Sequence, residues 1–267
     1  MFGSSAHPIF LERLKPVRQY PLLSRVRKPL GLLNSSYYFK GSFGLETKVY
    51  LTNYYNLLCD AGVPASWYLE CLDRQGKVAL QLQGTFKDNE TVIIDLAPYK
   101  QLDAFGVVRA QVVMQSDEVF LPQAHSTDFF NEYYQPGSTI GIMAHSLHVA
   151  RAAHGEPYQR ISPGLVVPSA FHPHLLIAGG CNFSKFLHGA CTKAKLTFLN
   201  FKNEEISKDI EPLKPGACHM IDLFKEIPQL AEHISDKPFT IKILGENFLP
   251  KPFMLFSDGE QMFGEHL

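Results

Sequence analysis

The residues best suited to chemistry in this chain are its histidines, which are concentrated in the second half. Nine of the eleven histidines lie from His145 onward. Histidine is the commonest metal ligand, and its imidazole titrates near neutral pH. The clustering therefore directs attention to two groups, one that suits a metal ion and one that suits a bound ligand.

The first group is the segment His172-Pro173-His174 together with His219. Residues i and i+2 of an extended segment point to the same face, so both imidazoles of the segment could contact one ion. Pro173 favours an extended conformation at His172. With His219 as the third ligand, these residues predict a metal site; the alternative is that the three are ordinary surface or core histidines with backbone partners.

A His-x-His pair followed by a distant histidine resembles the metal-binding pattern of cupins, whose barrels also occur duplicated in bicupins. A cupin would place a glutamate a few residues after His174, and the segment Leu175–Gly180 contains none. The version that remains is a three-histidine site, as in the thiol-dioxygenase branch of that superfamily. The resemblance implies a metal-dependent enzyme with iron or zinc as its cofactor.

The second group lies around the middle of the chain and predicts a ligand-binding cleft between two units. Ligand pockets favour such junctions, where two surfaces supply convergent polar groups. The residues expected to line the cleft are His145, His148, His154, Tyr158 and Arg160, with His172 and His174 beginning the second unit.

Two further sets of residues are candidates for binding. Aromatic rings that could stack on sugars are concentrated in the first half, and the segment Ser116–Gly137 combines acidic and aromatic residues in what reads as a long loop, where binding residues often occur. The aromatic set is Tyr37, Tyr38, Phe39, Phe43, Tyr50, Tyr54, Tyr55, Trp67 and Tyr68; the loop set is Asp117, Glu118, His125, Asp128, Glu132, Tyr133 and Tyr134.

The elements that must position these residues follow a pattern that occurs twice. Asp73 and Asp95 are 22 residues apart, as are Asn200 and Asp222. In each pair, an apolar segment precedes the first residue and another contains the second. The two copies are offset by 127 residues. A weaker echo relates Ala144-His145 to Glu265-His266 at an offset of 121.

Both copies consist of short segments rich in β-branched and aromatic residues, separated by turn residues, which is typical of a β-sandwich. The fold class expected is all-β, with two tandem homologous β-sandwich repeats of jelly-roll or Ig-like type. The strands expected are 48–52, 67–72, 78–83, 91–96 and 106–114 in the first copy, and 175–177, 194–199, 205–210, 217–223 and 239–244 in the second, with a helical turn near 227–234.

Four regions follow from this pattern: a basic N-terminal arm at 1–30, a first repeat at 31–148, a linker at 149–171 rich in Gly and Pro, and a second repeat at 172–267. The arm carries six cations against one acid, Glu12, and Pro16, Pro21 and Pro29 interrupt any helix across it. The cations are Arg13, Lys15, Arg18, Arg25, Arg27 and Lys28.

Composition narrows the functional classes. The net charge is −1, which argues against a nucleic-acid partner because phosphate binding needs clustered cations. No window is long and apolar enough to span a bilayer. The five cysteines include no CxxC pair, which favours free thiols in a reducing, cytoplasmic compartment over a disulfide framework.

Two functions from different classes follow. The leading hypothesis is a binding or assembly protein without a cofactor, whose partner is a protein or a carbohydrate and which could form a homo-oligomer. The alternative is the bicupin-like metal-dependent enzyme that uses His172, His174 and His219.

Overall fold

The structure is a computed structural model. It describes residues 23–26, 31–53, 65–87, 90–114, 119–122, 129–138, 141–145, 158–179, 192–245, 252–259 and 261–266. The chain divides into two compact units: unit 1 comprises Met1–Asp73 and Lys77–His148, and unit 2 comprises Arg74–Gly76 and Val149–Leu267.

Unit 1 is built from ten strands among its described residues. They are β1 Leu23–Val26, β2 Gly31–Phe39, β3 Glu46–Thr52, β4 Ala65–Leu72, β5 Val78–Thr85, β6 Thr91–Asp95, β7 Phe105–Met114, β8 Val119–Pro122, β9 Phe130–Tyr134 and β10 Gly141–His145. They form one sheet of order β2-β7-β4-β5, a second of order β10-β9-β3-β6, and the pair β1-β8.

Unit 2 contains eight described strands and two short helices. The strands are β11 Tyr158–Leu165, β12 His172–Ala178, β13 Thr192–Leu199, β14 Glu205–Leu213, β15 Cys218–Asp222, β16 Phe239–Gly245, β17 Phe253–Ser257 and β18 Met262–His266; the helices are α1 Leu223–Glu226 and α2 Leu230–Ile234. The sheet orders are β11-β16-β13-β14 and β15-β12-β17-β18. The described part of the chain is therefore all-β apart from these helices and a 3-10 turn at Ser42–Gly44, and its paired strands are antiparallel.

The two units have the same strand connectivity. If β1 and β8 are set aside and the remaining strands of each unit are numbered one to eight along the chain, both units have sheet orders 1-6-3-4 and 8-7-2-5. The first two strands of each unit lie in different sheets. An immunoglobulin domain instead pairs its first two strands within one sheet, so the Ig-like topology expected as one option is not the one observed.

Each unit buries a hydrophobic cluster to which both of its sheets contribute. In unit 1, Leu69 of β4 and Val49 of β3 belong to the same buried cluster. In unit 2, Leu196 of β13, Leu175 of β12 and Leu230 of α2 share another. Burying one such side chain contributes about 1.5–3 kcal/mol, so these clusters are the main source of stability within each unit.

The turns that mark the sequence repeat have the same hydrogen bonds. Asp73 follows β4, and its Oδ1 accepts a bond from the Lys77 backbone N–H at 2.8 Å. Asn200 follows β13, and its Oδ1 accepts a bond from the Glu204 backbone N–H at 3.0 Å. The third residue after each acceptor has a positive φ, which is 81° at Gly76 and 63° at Asn203.

The strands expected from the sequence are confirmed, with ends that differ by one to three residues in most cases, and a helix lies within the expected 227–234 segment. One boundary is different. β11 lies within the 149–171 segment expected as a linker, and it pairs with β16 of unit 2. Pro163 and Gly164 are accommodated by a register shift between Ser162 and Leu165 at a sheet edge, so these turn residues do not end the strand.

Candidate functional site

The structure does not bring His219 together with His172 and His174. His174 pairs with Asp222, whereas His219 pairs with Ile177. Because directly opposed residues project to the same side of a sheet, His219 shares the side of Ile177, which belongs to the buried cluster, and His174 projects to the other side. One ion cannot contact three imidazoles on opposite sides of this sheet.

The pKa values of His174 and His219 are both lowered, mainly by burial. Burial lowers the pKa of His174, the Asp222 carboxylate acts in the opposite direction, and His172 lowers the pKa further. Burial also lowers the pKa of His219. Within the described residues, no group of three or more His, Cys, Asp and Glu side chains is arranged to hold a metal ion.

The residues expected to line a junction cleft lie in strands or outside the described residues. His145 is the last residue of β10, opposite Phe130. Tyr158 and Arg160 belong to β11. His148 and His154 lie outside the described residues.

The aromatic and loop candidates divide between the core and the surface of unit 1. Tyr37, Tyr38 and Phe39 are fully buried. The expected loop 116–137 contains strands β8 and β9, and Tyr133 of β9 is also buried. The candidates that lie outside the described residues are Tyr54, Tyr55, Asp117, Glu118, His125 and Asp128.

Three of the remaining candidates, Tyr50, Glu132 and Tyr134, meet on the outward face of the sheet β10-β9-β3-β6. The others lie elsewhere: Trp67 and Tyr68 belong to β4 of the other sheet, and Phe43 lies in the turn before β3. Alternation along β3 buries Thr47, Val49 and Leu51 and leaves Lys48 and Tyr50 on the other side. Lys48 lies opposite Asp95 on β6 and opposite Glu132 on β9. Together with Tyr134, these side chains form a surface that we call the tyrosine–carboxylate face: Lys48, Tyr50, Asp95, Glu132 and Tyr134.

Hydrogen bonds and ion pairs hold the side chains of this face in place. The Tyr50 hydroxyl donates to Glu132, whose carboxylate also lies 3.7 Å from the Lys48 Nζ. The Tyr134 hydroxyl lies 3.0 Å from each carboxylate oxygen of Asp95. The Lys48 Nζ is also 4.2 Å from the centre of the Tyr134 ring, within the range of a cation–π contact.

Both tyrosines resist ionisation because they are partly buried and because carboxylates accept hydrogen bonds from their hydroxyls. The hydrogen bond to Glu132, together with partial burial, raises the pKa of Tyr50 to about 12. Burial and the hydrogen bond to Asp95 raise the pKa of Tyr134 to about 12. The hydroxyls therefore act as fixed donors at neutral pH and have no tendency to act as bases or nucleophiles.

Two apolar side chains flank this polar network. Ile93 of β6 is 58% exposed and lies opposite Tyr50. Met143 of β10 is 59% exposed and lies opposite Glu132. The row Met143, Glu132, Lys48, Asp95 therefore crosses all four strands, which spans roughly 14 Å at about 4.8 Å per strand spacing.

The sequence indicates Tyr50, Glu132 and Tyr134 as candidates but not Lys48 or Asp95, and it does not pair Tyr50 with Glu132. Alternation in β3 could have placed Lys48 beside Tyr50. The contact between Tyr50 and Glu132 joins residues 82 positions apart, so no local spacing reveals it.

A buried ion pair lies on the other sheet of unit 1. Glu70 and Arg109 are only 1% and 3% exposed. The Arg109 Nη2 and Nε lie 2.5 Å and 2.6 Å from the Glu70 Oε2. The Gln81 side-chain amide donates to the other carboxylate oxygen at 2.6 Å. Because the carboxylate has strong partners on both oxygens, this arrangement is structural.

A shallow groove of about 470 Å³ lies on unit 2 beside the register shift between β13 and β14. Lys193 and Lys195 of β13 line its middle, with Asp209 and Glu211 of β14 on one side and Leu244 of β16 on the other. Opposite charges at these exposed positions compensate each other, so the groove does not select one charge of ligand.

Comparisons with known proteins do not assign this chain to a family. No family model matches the sequence, and no curated protein is significantly similar to it. Among the residues that the structure describes, the helices are too short to cross a bilayer. The function is therefore inferred from the surface of the molecule itself.

Proposed function

We propose that this chain is a binding or assembly protein that contacts another protein through the tyrosine–carboxylate face of unit 1. The observation that carries the proposal is the exposure of Ile93 and Met143 at both margins of this face. Protein interfaces combine apolar contacts with fixed hydrogen-bonding groups, and exposed apolar patches with polar neighbours mark such sites.

A protein partner fits the face better than a carbohydrate does. Stacking on a sugar requires an open aromatic ring. The Lys48 ammonium lies over the Tyr134 ring, and the Tyr50 hydroxyl is engaged by Glu132. The isoleucine and methionine side chains at the margins offer apolar area without a ring, which suits a protein surface.

The proposal is tested with Ile93→Asp/Met143→Asp, which introduces charge at both margins. The full-length wild type and the variant are immobilised and exposed to proteins from the source cells. The variant should recover at least about tenfold less of each protein that binds specifically to the wild type, because its new charges would be buried in the interface without opposite charges. Thermal unfolding should change little, since both side chains are exposed.

The matched control is Ile161→Asp/Leu244→Asp in unit 2, where the two side chains are 47% and 43% exposed. This control should retain the same partners as the wild type. Equal recovery by all three proteins would reject the proposed face. Binding to an oligosaccharide array that Tyr50→Phe abolishes would support a carbohydrate ligand instead.

We also propose that the two units are homologous β-sandwiches that arose by tandem duplication. Their matching strand connectivity and matching turns at Asp73 and Asn200 support this proposal. The weaker sequence echo agrees with it, since His145 pairs with Phe130 in β10 as His266 pairs with Phe253 in β18. Convergence on the same connectivity would leave unexplained the 22-residue spacing that Asp73 and Asp95 share with Asn200 and Asp222.

A reducing, cytoplasmic compartment is part of the proposal. Cys71 and Cys218 are free and buried, and burial raises the pKa of both thiols. Thiols of this kind behave as small apolar core residues. Labelling of the native protein with a thiol reagent should leave both unmodified, whereas unfolding should expose them.

The metal-dependent enzyme remains the alternative proposal, in a form that does not use all three histidines at one ion. Iron or zinc would then be held by ligands that include only part of the set His172, His174 and His219. Metal analysis of the purified protein distinguishes the two functions. A stoichiometric metal that is lost in His172→Ala/His174→Ala would favour the enzyme.

A further inference from the structure

Strand β5 forms an open edge of the sheet β2-β7-β4-β5. Among the described strands it pairs only with β4. A register shift at the start of the strand leaves Leu80–Thr85 in regular pairing, about 20 Å of edge at roughly 3.4 Å per residue. The side chains of Gln81, Gln83 and Thr85 are exposed. The backbone groups along the outer side of β5 are therefore a template for another strand.

Proteins usually protect such edges with charges, proline or bulges. Strand β14, which occupies the same position in unit 2, has all three: it carries charged residues and Pro212, and its pairing with β13 is irregular. The charged residues are Glu205, Lys208, Asp209 and Glu211. The edge strand β11 contains Pro163 within a register shift. Strand β5 has no charged residue and no proline.

The residue pattern of β5 matches a second copy of itself. Antiparallel pairing about a twofold axis at Gln83 places that residue opposite its own copy, Gln81 opposite Thr85, and Leu82 opposite Gly84. An amide both donates and accepts hydrogen bonds, so two glutamine side chains can pair, whereas any charged residue on the axis would repel its copy.

The pairing of Leu82 with Gly84 is also favourable in shape. The Trp67 ring lies over Gly84 on this side of the sheet, because a Cβ at this position would lie 2.6 Å from the ring. Leu82 is partly buried and packs against the core of unit 1. In the symmetric pairing, Leu82 of each copy lies opposite the glycine of the other and contacts the tryptophan ring that covers this glycine.

We propose that two copies of this chain associate through β5, in antiparallel register centred on Gln83, to form a continuous eight-stranded sheet. The interaction is confined to one edge strand, so the dimer is concentration-dependent. This site is separate from the tyrosine–carboxylate face and uses none of its residues.

The decisive variants are Gln83→Lys and Gln83→Glu, which place like charges opposite each other on the axis. Sedimentation of the full-length wild type should show a monomer–dimer equilibrium, and each variant should weaken it about tenfold or more. An equimolar mixture of the two variants should restore dimerisation, because lysine then faces glutamate. The variants should remain folded, since the Gln83 side chain is exposed.

The matched control is Ser207→Lys on β14, an exposed edge position in unit 2. It should dimerise like the wild type. A wild type that remains monomeric at the highest concentration measured, or a dimer that both Gln83 variants leave unchanged, would overturn the proposal. So would recovery in the mixture no greater than in either variant alone.

Discussion

At the scale of single residues, the tyrosine–carboxylate face should be visible in a titration. Tyr50 and Tyr134 have pKa values raised from the ordinary 10.0 to about 12. Absorbance titration of the folded protein should therefore show tyrosines that ionise near pH 12. In Tyr50→Phe, the absorbance change in that range should decrease by one tyrosine.

The same shift has a consequence for stability. A raised folded-state pKa favours the protonated tyrosine in the folded protein, so the stabilisation is fully present below about pH 10 and is lost as the pH rises towards 12. The free energy of unfolding should fall over this window, and less steeply in Tyr50→Phe. An unchanged slope in the variant would show that Tyr50 does not donate to Glu132.

The buried pair of Glu70 and Arg109 gives a second prediction at this scale. Arg109→Met leaves the Glu70 carboxylate buried without its guanidinium partner, and we expect a loss of about 3–5 kcal/mol in the free energy of unfolding. Replacing both residues, as Glu70→Leu/Arg109→Met, should cost less than the single variant because no charge remains unpaired. Denaturant titration measures all three proteins.

The control for this pair lies at the corresponding position of unit 2. Thr197 and Lys242 pair across β13 and β16 as Glu70 and Arg109 pair across β4 and β7. Lys242→Met should change stability by no more than about 0.5 kcal/mol, as is usual away from buried charges. A similar cost in both units would show that the loss at Arg109 does not arise from an unpaired charge.

At the scale of elements, local pattern located β3–β7 and β12–β16 but missed two central strands, β9 and β17, as well as several edge strands. The spacing of Asp73, Asp95, Asn200 and Asp222 was informative because each residue directly follows or ends a strand. The sequence predicts a linker at 149–171 because a proline such as Pro163 usually ends a strand. Strand β11 nevertheless forms there, because it lies at a sheet edge, where the missing N–H of proline is tolerated. The offset falls from 127 to 121 because the connection from β7 to β9, which contains β8, is longer than the connection from β16 to β17. This difference outweighs the longer connection that α1 and α2 make in unit 2.

The candidate face was harder to predict for a physical reason. Its five side chains come from three strands, and the strand order β9-β3-β6 is set by long-range pairing. Sequence alternation identifies which residues of one strand share a side, but it does not identify the neighbouring strand. Tyr50 and Glu132 could therefore be nominated separately and not as partners.

The turns after β4 and β13 provide a test of equivalence between elements. In each turn, a side-chain oxygen accepts a backbone N–H four residues later. Asp73→Ala and Asn200→Ala should each lower the free energy of unfolding by at least about 0.5–1.5 kcal/mol. The larger loss is expected at Asn200, whose side-chain oxygen also accepts a bond from the Lys202 backbone N–H.

The matched substitutions exchange the two side chains. Asp73→Asn and Asn200→Asp keep an oxygen acceptor in the same place, so each should retain most of the stability that its alanine variant loses. Urea denaturation of the four variants decides this. An exchange as costly as truncation would indicate that the two turns are not equivalent.

At the scale of the whole molecule, duplication predicts that corresponding core positions have similar energetic roles. Leu69 of β4 and Leu196 of β13 are 127 residues apart, and both are fully buried in the cluster of their own unit. Leu69→Ala and Leu196→Ala should each destabilise the protein by about 2–5 kcal/mol, because each removes apolar contacts and leaves a cavity. Leu244→Ala, at an exposed position, should change stability by about 0.5 kcal/mol or less. Calorimetry measures all three variants. If one of the two core variants were as mild as this control, the matching connectivity would not extend to core packing, and the two sandwiches would not be energetically equivalent.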